Sequence, residues 1–246
     1  MRSSPAALAF ALLFALVLPG CATTGGNVDP WESLNRKTFA FNDAVDKAVL
    51  KPVAQGYVKV TNPWIRARVS NFFDNIYDIN TTLNDFLEGK VPEGINDLGR
   101  LFLNTTVGVA GLFDVASGLG VEKRDKDFGQ TLGWWGVPPG PYFVIPLLGP
   151  STARDAPARL VDPGWYYPRW VNNDTLYWSF WTLDKVRLRA QLFQAESVLE
   201  QAALDRYLFI RDAWLQRRQN QVYDGKPPLE DDLDEPSPEK KPQEKK

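Results

Sequence analysis

The sequence predicts a mainly α domain, and three observations carry that prediction. Apolar residues recur at three- and four-residue spacing through most of the chain between Asp29 and Gln221. Few stretches alternate with period two, as half-buried strands would. Helix-start residues also stand ahead of the periodic segments.

Asp29-Pro30-Trp31-Glu32 reads as the first start, with Asp29 as N-cap, proline at the first helical position and Glu32 closing a capping box. Trp31, Leu34, Phe41, Val45 and Ala48 continue this helix, and Lys51-Pro52 restarts the chain in a new segment. Pro63 opens the next helix, with Ile65, Val69, Phe72, Phe73, Ile76 and Ile79 as its apolar side. Ile95, Leu98 and Phe102 define a third. From Asn104 to Gly120 small residues and glycines permit close backbone contact.

The run from Phe128 to Ala153 contains no charged side chain. It is long enough to cross a hydrocarbon core, which takes ~20 apolar residues in helical form. Pro138, Pro139, Pro141 and Pro146, with Gly133, Gly136 and Gly140, preclude a helix of that length. The segment is therefore expected to be irregular, apart from a short helix that Asp127 caps at Phe128. Ser151 is expected to start another short helix, and residues 174–221 to hold two or three more, rich in Leu, Arg, Gln and Ala. From Asp224 onward Pro, Glu, Asp and Lys dominate, which is the composition of a disordered tail.

Composition narrows the chemistry. The chain has 246 residues and a formal net charge of −2, so nothing points to a nucleic-acid partner. Histidine is absent, which removes the usual general base, the commonest metal ligand and every Ser-His or Cys-His arrangement. The single cysteine forms neither an internal disulfide nor a zinc cluster. Nine Trp, 14 Phe and 8 Tyr serve either a packed core or contact with a membrane interface, where Trp and Tyr collect.

The N-terminus indicates export. Arg2 precedes an apolar run from Ala6 to Leu18, too short to span comfortably, and Leu18-Pro19-Gly20-Cys21 follows. That ending resembles the lipobox of bacterial lipoproteins, which implies that Cys21 becomes the acylated first residue of the mature chain. Ala22 is not the aspartate that retains lipoproteins at the inner membrane of enteric bacteria, so the implied address is the periplasmic face of the outer membrane. The expected layout is a signal peptide over 1–20, a lipidated tether over 21–28, a helical domain over 29–223 and the tail over 224–246.

Most short motifs carry little. Asp127-Phe128-Gly129 copies the magnesium motif of protein kinases, but no Gly-rich ATP loop or His-Arg-Asp loop accompanies it. Asn80-Thr81-Thr82 and Asn104-Thr105-Thr106 match glycosylation acceptors and are read as turn and cap residues. Asp231-Asp232 lies in the tail, where nothing tunes a carboxylate pair.

The longer segments fit one pattern. Asp29-Pro30-Trp31-Glu32, Asn35-Arg36, Phe39-Ala40-Phe41-Asn42, Leu50 to Ala54, Asn71-Phe72-Phe73, Asn75, Asn104 to Gly108 and Asp127 to Gly136 resemble the MlaA (VacJ) family. So do Gly140-Pro141-Tyr142, Leu147 to Asp155, Asp205-Arg206-Tyr207 and Arg211-Asp212, in order, from Asp29 to about Arg218. The resemblance implies an outer-membrane lipoprotein that maintains lipid asymmetry. It implies a single helical ring lying in the inner leaflet around a central amphipathic channel. Phospholipids misplaced in the outer leaflet would pass through it to the periplasmic lipid carrier MlaC, and trimeric porins would sit alongside.

Irregular backbone at membrane depth is tolerated where it is buried in protein or lines a water-filled cavity, which suits a channel wall. The candidate wall is Asn71, Phe72 and Phe73 on one side, with Tyr142, Phe143, Val144, Leu147 and Leu148 along the uncharged segment. No catalytic, cofactor-binding or metal-ligating residue is expected. Two alternatives stay open at this point: a lipoprotein phospholipase or peptidoglycan hydrolase, and a structural porin-associated lipoprotein.

Overall fold

The computed structural model describes residues 27–162, 173–196 and 203–228. Cys21, the signal peptide and the tail beyond residue 228 lie outside them. Within the described residues the chain is mainly helical, and none of its helices is long and apolar enough to cross a membrane.

Helix α1 (Glu32–Val45) runs through a π-helical turn (Asp46–Leu50) directly into α2 (Lys51–Val60). The break expected at Lys51-Pro52 does not occur. Pro52 has no N–H and its ring would crowd an α-helical carbonyl; the wider turn, in which the Lys51 amide donates to the Asp46 carbonyl five residues back, makes room for it. Asp29 does not cap α1 either. The N-cap is Trp31, without a side-chain bond, because the Asp29 carboxylate is buried and accepts from Asn35, Tyr207 and Arg211 instead.

The long helix α3 (Pro63–Leu87) is capped by Asn62, whose side chain accepts from the Ile65 amide, and has Pro63 in its first turn. It packs along α4 (Val91–Thr106), the most extensive helix pair of the fold. The Gly-rich connection then folds back tightly on both helices. A Cβ on Gly108 would fall 2.2 Å from the Phe113 carbonyl oxygen, and Gly111, at φ +83°, sits against Asn75. The short helix α5 (Val115–Gly118) follows, capped by Asp114.

The uncharged segment is more ordered than its composition suggests. It opens with α6 (Phe128–Trp134), capped as expected by Asp127, whose carboxylate accepts from the Gln130 amide. It ends in an antiparallel hairpin, β1 (Tyr142–Ile145) with β2 (Gly149–Thr152), in register Tyr142 to Thr152 and Val144 to Pro150. Ser151 is thus a strand residue, and the short helix α7 (Asp155–Val161) begins four positions later. Helix α8 (Asp174–Gln191) packs on α2, and α9 (Arg206–Val222) packs on α6. Asp224, assigned to the tail by composition, is held by Lys90 and Lys126, so the ordered chain reaches past 223.

The apolar core is small. Tyr142, Val144 and Tyr207 form its buried centre, with Phe39, Leu208, Trp214 and Leu215 packed against it.

Candidate functional site

Polarity is inverted over much of the fold. Among the described residues, 26 polar or charged side chains are buried against 9 apolar ones, while 33 large apolar side chains are exposed. Helix α4 shows this most clearly. Its buried positions are Gly94, Asp97, Arg100 and Asn104, whereas Ile95, Leu98 and Phe102 are 59%, 49% and 66% exposed. In water, leaving a side chain such as Phe102 outside forgoes about 1.5–3 kcal/mol of burial. An exposed apolar surface this extensive marks an interaction site, here one suited to hydrocarbon.

The polar seam inside is closed by pairing, as burial of charge requires. Arg100 is its centre: one amino group donates to Ser117 Oγ at 2.9 Å and the Val121 carbonyl at 2.8 Å. The other meets Asp114 at 3.0 Å, and Nε lies 3.5 Å from Asp78. Burial alone would raise the Asp114 carboxyl, but the Ser117 hydroxyl and amide, Asn104 and Arg100 override it and hold it down to about 2. Arg124 joins Asp97 at 2.8 Å and Asp85 at 3.2 Å. Asn104 donates to Asp114 and accepts from the Ala116 amide, and Asn80 donates to the Lys126 carbonyl. The two Asn-Thr-Thr motifs are therefore buried helix residues, not turns or caps. Their amides tie helices to the adjoining loops.

A second charged cluster joins α6, α7 and α9. Arg218 bonds both Asp127 and Asp155, the latter through Nε at 2.8 Å. Burial disfavours both carboxylates as anions, yet the guanidinium holds each below its ordinary range. Asp162, which accepts from Asn80 and from the Phe128 amide, has no such cation. Burial first, and the charge of Asp127 second, push it up to about 6. Among the described residues no group of acidic or cysteine side chains is arranged to hold a metal ion.

The candidate wall residues fall in two places. Asn71 donates to the Leu112 carbonyl at 3.1 Å and so pins the Gly-rich connection to α3. Phe72 and Phe73 cluster around Phe180 of α8, with Phe73 buried and Phe72 half-buried. Tyr142 and Val144 are buried in the apolar core, and Phe143 meets Trp31 edge-on on the opposite face of β1. Leu147, at φ +63°, and Leu148 form the hairpin tip and are 69% and 55% exposed. No hydrogen bond or ring contact among the described residues joins the Phe72 group to the hairpin group.

Two residues that hold this hairpin escaped the sequence reading. Asn35 accepts from the Val144 amide at 2.9 Å and donates to the Tyr142 carbonyl at 3.2 Å. Two turns along α1, Asn42 donates to the Ile145 carbonyl at 2.9 Å and accepts from the Leu147 amide at 2.7 Å. Side-chain amides thereby replace a third strand on the open edge of β1. Their seven-residue spacing, which puts both on one helix face, was the available signal.

Comparison with known proteins agrees with this geometry. The family model described as MlaA lipoprotein matches residues 27–221. The intermembrane phospholipid transport system lipoprotein MlaA of Escherichia coli is 34% identical over 216 residues, covering 82% of each chain. That of Haemophilus influenzae is 31% identical over 229 residues, covering 88% of this chain and 90% of its own. An uncharacterized protein of Rickettsia prowazekii is 36% identical over 199 residues, or 79% of this chain and 78% of its own. A structure solved in work on the maintenance of bacterial outer membrane lipid asymmetry superposes with a TM-score of 0.69 at 31% identity, covering 80% of this chain and all of that one. By sequence and by fold, the chain belongs to the MlaA lipoprotein family.

Proposed function

We infer that this protein is an outer-membrane lipoprotein of intermembrane phospholipid transport, which maintains lipid asymmetry by removing phospholipids from the outer leaflet. The observation that carries this reading is the inverted polarity of α3 and α4, together with family membership. A surface of Ile95, Leu98 and Phe102 belongs in hydrocarbon, and helices of this length and composition lie in a leaflet instead of crossing the bilayer. Acylation at Cys21 anchors the chain from the periplasmic side, each buried methylene contributing about 0.8 kcal/mol.

The mechanism needs no bond-making step, and the protein is no enzyme in this reading. A headgroup entering an apolar layer is costly unless polar groups accompany it, while the acyl tails prefer apolar contact. A passage with both kinds of wall lowers that barrier. Leu147 and Leu148 supply exposed apolar contact, with Asn71, Phe72 and Phe143 beside the path. The buried Phe73, Tyr142 and Val144 back the wall. A periplasmic carrier of the MlaC kind receives the lipid, and a trimeric porin is the neighbour in the membrane.

Surface phospholipid measured in cells with and without the gene tests this. Deletion is expected to raise outer-leaflet phospholipid, and the wild-type gene to restore it. Unchanged surface phospholipid on deletion would overturn the reading.

A further inference from the structure

The face of α3 that meets α4 and its following loop is polar from end to end, and its members are paired in sequence. Asn71 donates to the Leu112 carbonyl, Asn75 to Thr105, Asp78 faces Arg100 and Asp85 faces Arg124. The next residue on that face toward the N-terminus is Arg68. It differs from the rest in having no hydrogen-bond or ion-pair partner among the described residues, and its Nε is buried and unsatisfied. Arg66, one turn away, contrasts with it by donating to the Val58 and Thr61 carbonyls.

Arg68 is nevertheless held in place. Its guanidinium carbon lies 4.5 Å from the ring centre of Phe113 and 5.4 Å from that of Trp64. The Asn71 bond to Leu112 fixes the loop that carries Phe113, so the stack is built from the fold and not from a chance rotamer. Trp64, Ile65, Leu112 and Phe113 are themselves exposed and apolar. A planar cation, clamped between two rings and ringed by hydrocarbon-seeking side chains, lacks only an anion.

We propose that Arg68 binds the phosphate of a membrane phospholipid whose acyl chains lie against Trp64, Ile65 and Phe113. Guanidinium matches phosphate in bidentate geometry, and ring stacking orients it without consuming its donors. A free phosphate ion would satisfy the charge but leave the surrounding rings without cover, so a lipid is the occupant that uses both features. The proposal rests on the membrane setting inferred above. It adds a headgroup contact on the outer flank of α3, apart from the hairpin.

The test uses the full-length acylated protein in a maltoside detergent, titrated with phosphatidylglycerol or phosphatidylethanolamine and followed by native mass spectrometry. Diacylglycerol of the same chains and inorganic phosphate are the controls. Arg68→Gln is expected to weaken phospholipid binding at least tenfold and leave diacylglycerol binding unchanged, with Arg68→Lys in between. Phe113→Leu, which keeps the charge and removes one face of the stack, is expected to weaken it about threefold. Phospholipid binding by Arg68→Gln equal to wild type would overturn the proposal, as would an equal loss of diacylglycerol. So would phosphate binding as tight as phospholipid. Arg68-dependent binding in a protein whose deletion leaves surface phospholipid unaltered would sink the transport reading alone; a transporting protein without that dependence would sink this contact alone.

Discussion

Between α3 and α4 the buried side chains are asparagine, aspartate and arginine, and the outward ones are isoleucine, leucine and phenylalanine. Around the hairpin the arrangement is the ordinary one: Tyr142, Val144 and Tyr207 are inside, packed by Phe39 and Trp214. Apolar packing yields its stabilisation when the alternative is water. It yields little between surfaces that already have hydrocarbon to contact, where hydrogen bonds and ion pairs must hold helices together. The two regions therefore show which solvent each part of the fold was built for.

The contrast is broken most directly at Arg100. Arg100→Leu leaves Asp78 and Asp114 buried without their cation, a change that costs about 3–5 kcal/mol. Thermal melting in detergent should show a large loss, and the protein should be depleted from the membrane fraction. A wild-type melt would mean that the seam is not held by charge pairing.

At the hairpin, Asn35→Ala should cost about 1–3 kcal/mol, because the Val144 amide and Tyr142 carbonyl lose their buried partners. Hydrogen exchange at Val144 reads this locally. Protection equal to wild type would show that the side-chain edge is dispensable.

Asp162 gives a pH signature. Its folded value of about 6 stands above the model value of 3.8, so the folded chain holds this proton more tightly than the unfolded one. Its contribution is full below the unfolded value and is lost as pH rises through about 6, on the order of 1–3 kcal/mol. Asp127 and Asp155 act in the opposite sense, since their lowered values favour folding above the unfolded value and lose that contribution toward acid. Asp162→Asn should flatten the stability profile between pH 4 and 6. An unchanged slope there would reject the assignment.

Leu147→Asp separates wall from core. With the side chain exposed at the hairpin tip, folding should change by less than about 0.5 kcal/mol, while surface phospholipid accumulates. Normal abundance with normal asymmetry would remove Leu147 from the lipid path. The smallest effect is expected at the end of the chain. Truncation after Gly225 should leave stability and transport intact, because Asp224 keeps its contacts with Lys90 and Lys126. Truncation after Tyr223 should lower the melting temperature by removing them; equal melts would show that those contacts add nothing.

Much of this was legible beforehand. Spacing located α3, α4, α8 and α9, and Asp127 marked the start of α6, because periodicity and caps are local. What spacing could not say was which way a helix faces. Ile95, Leu98 and Phe102 trace a clean apolar stripe, and only the identity of the surrounding solvent decides that it points outward. The hairpin was missed because proline and glycine hide strand propensity, and its edge is satisfied by Asn35 and Asn42, more than 100 residues away in sequence. Asp29 was misjudged for a related reason: a distant tyrosine and arginine claimed the carboxylate before the helix could use it.

The π-helical turn has a consequence for how this chain can change. An α-helix advances by about 100° per residue, so the extra residue in the turn resets the angular phase of everything after it. Upstream, that phase aims Asn35 and Asn42 at the hairpin; downstream, it turns the fully buried Ala54 inward and aligns α2 with α8. Loss of any one residue between Asp46 and Leu50 would restore a regular helix, swing Ala54 toward the surface, and force Pro52 into a position where its ring does not fit. Point substitutions there are mild by comparison. The stretch therefore tolerates changes of letter far better than changes of length.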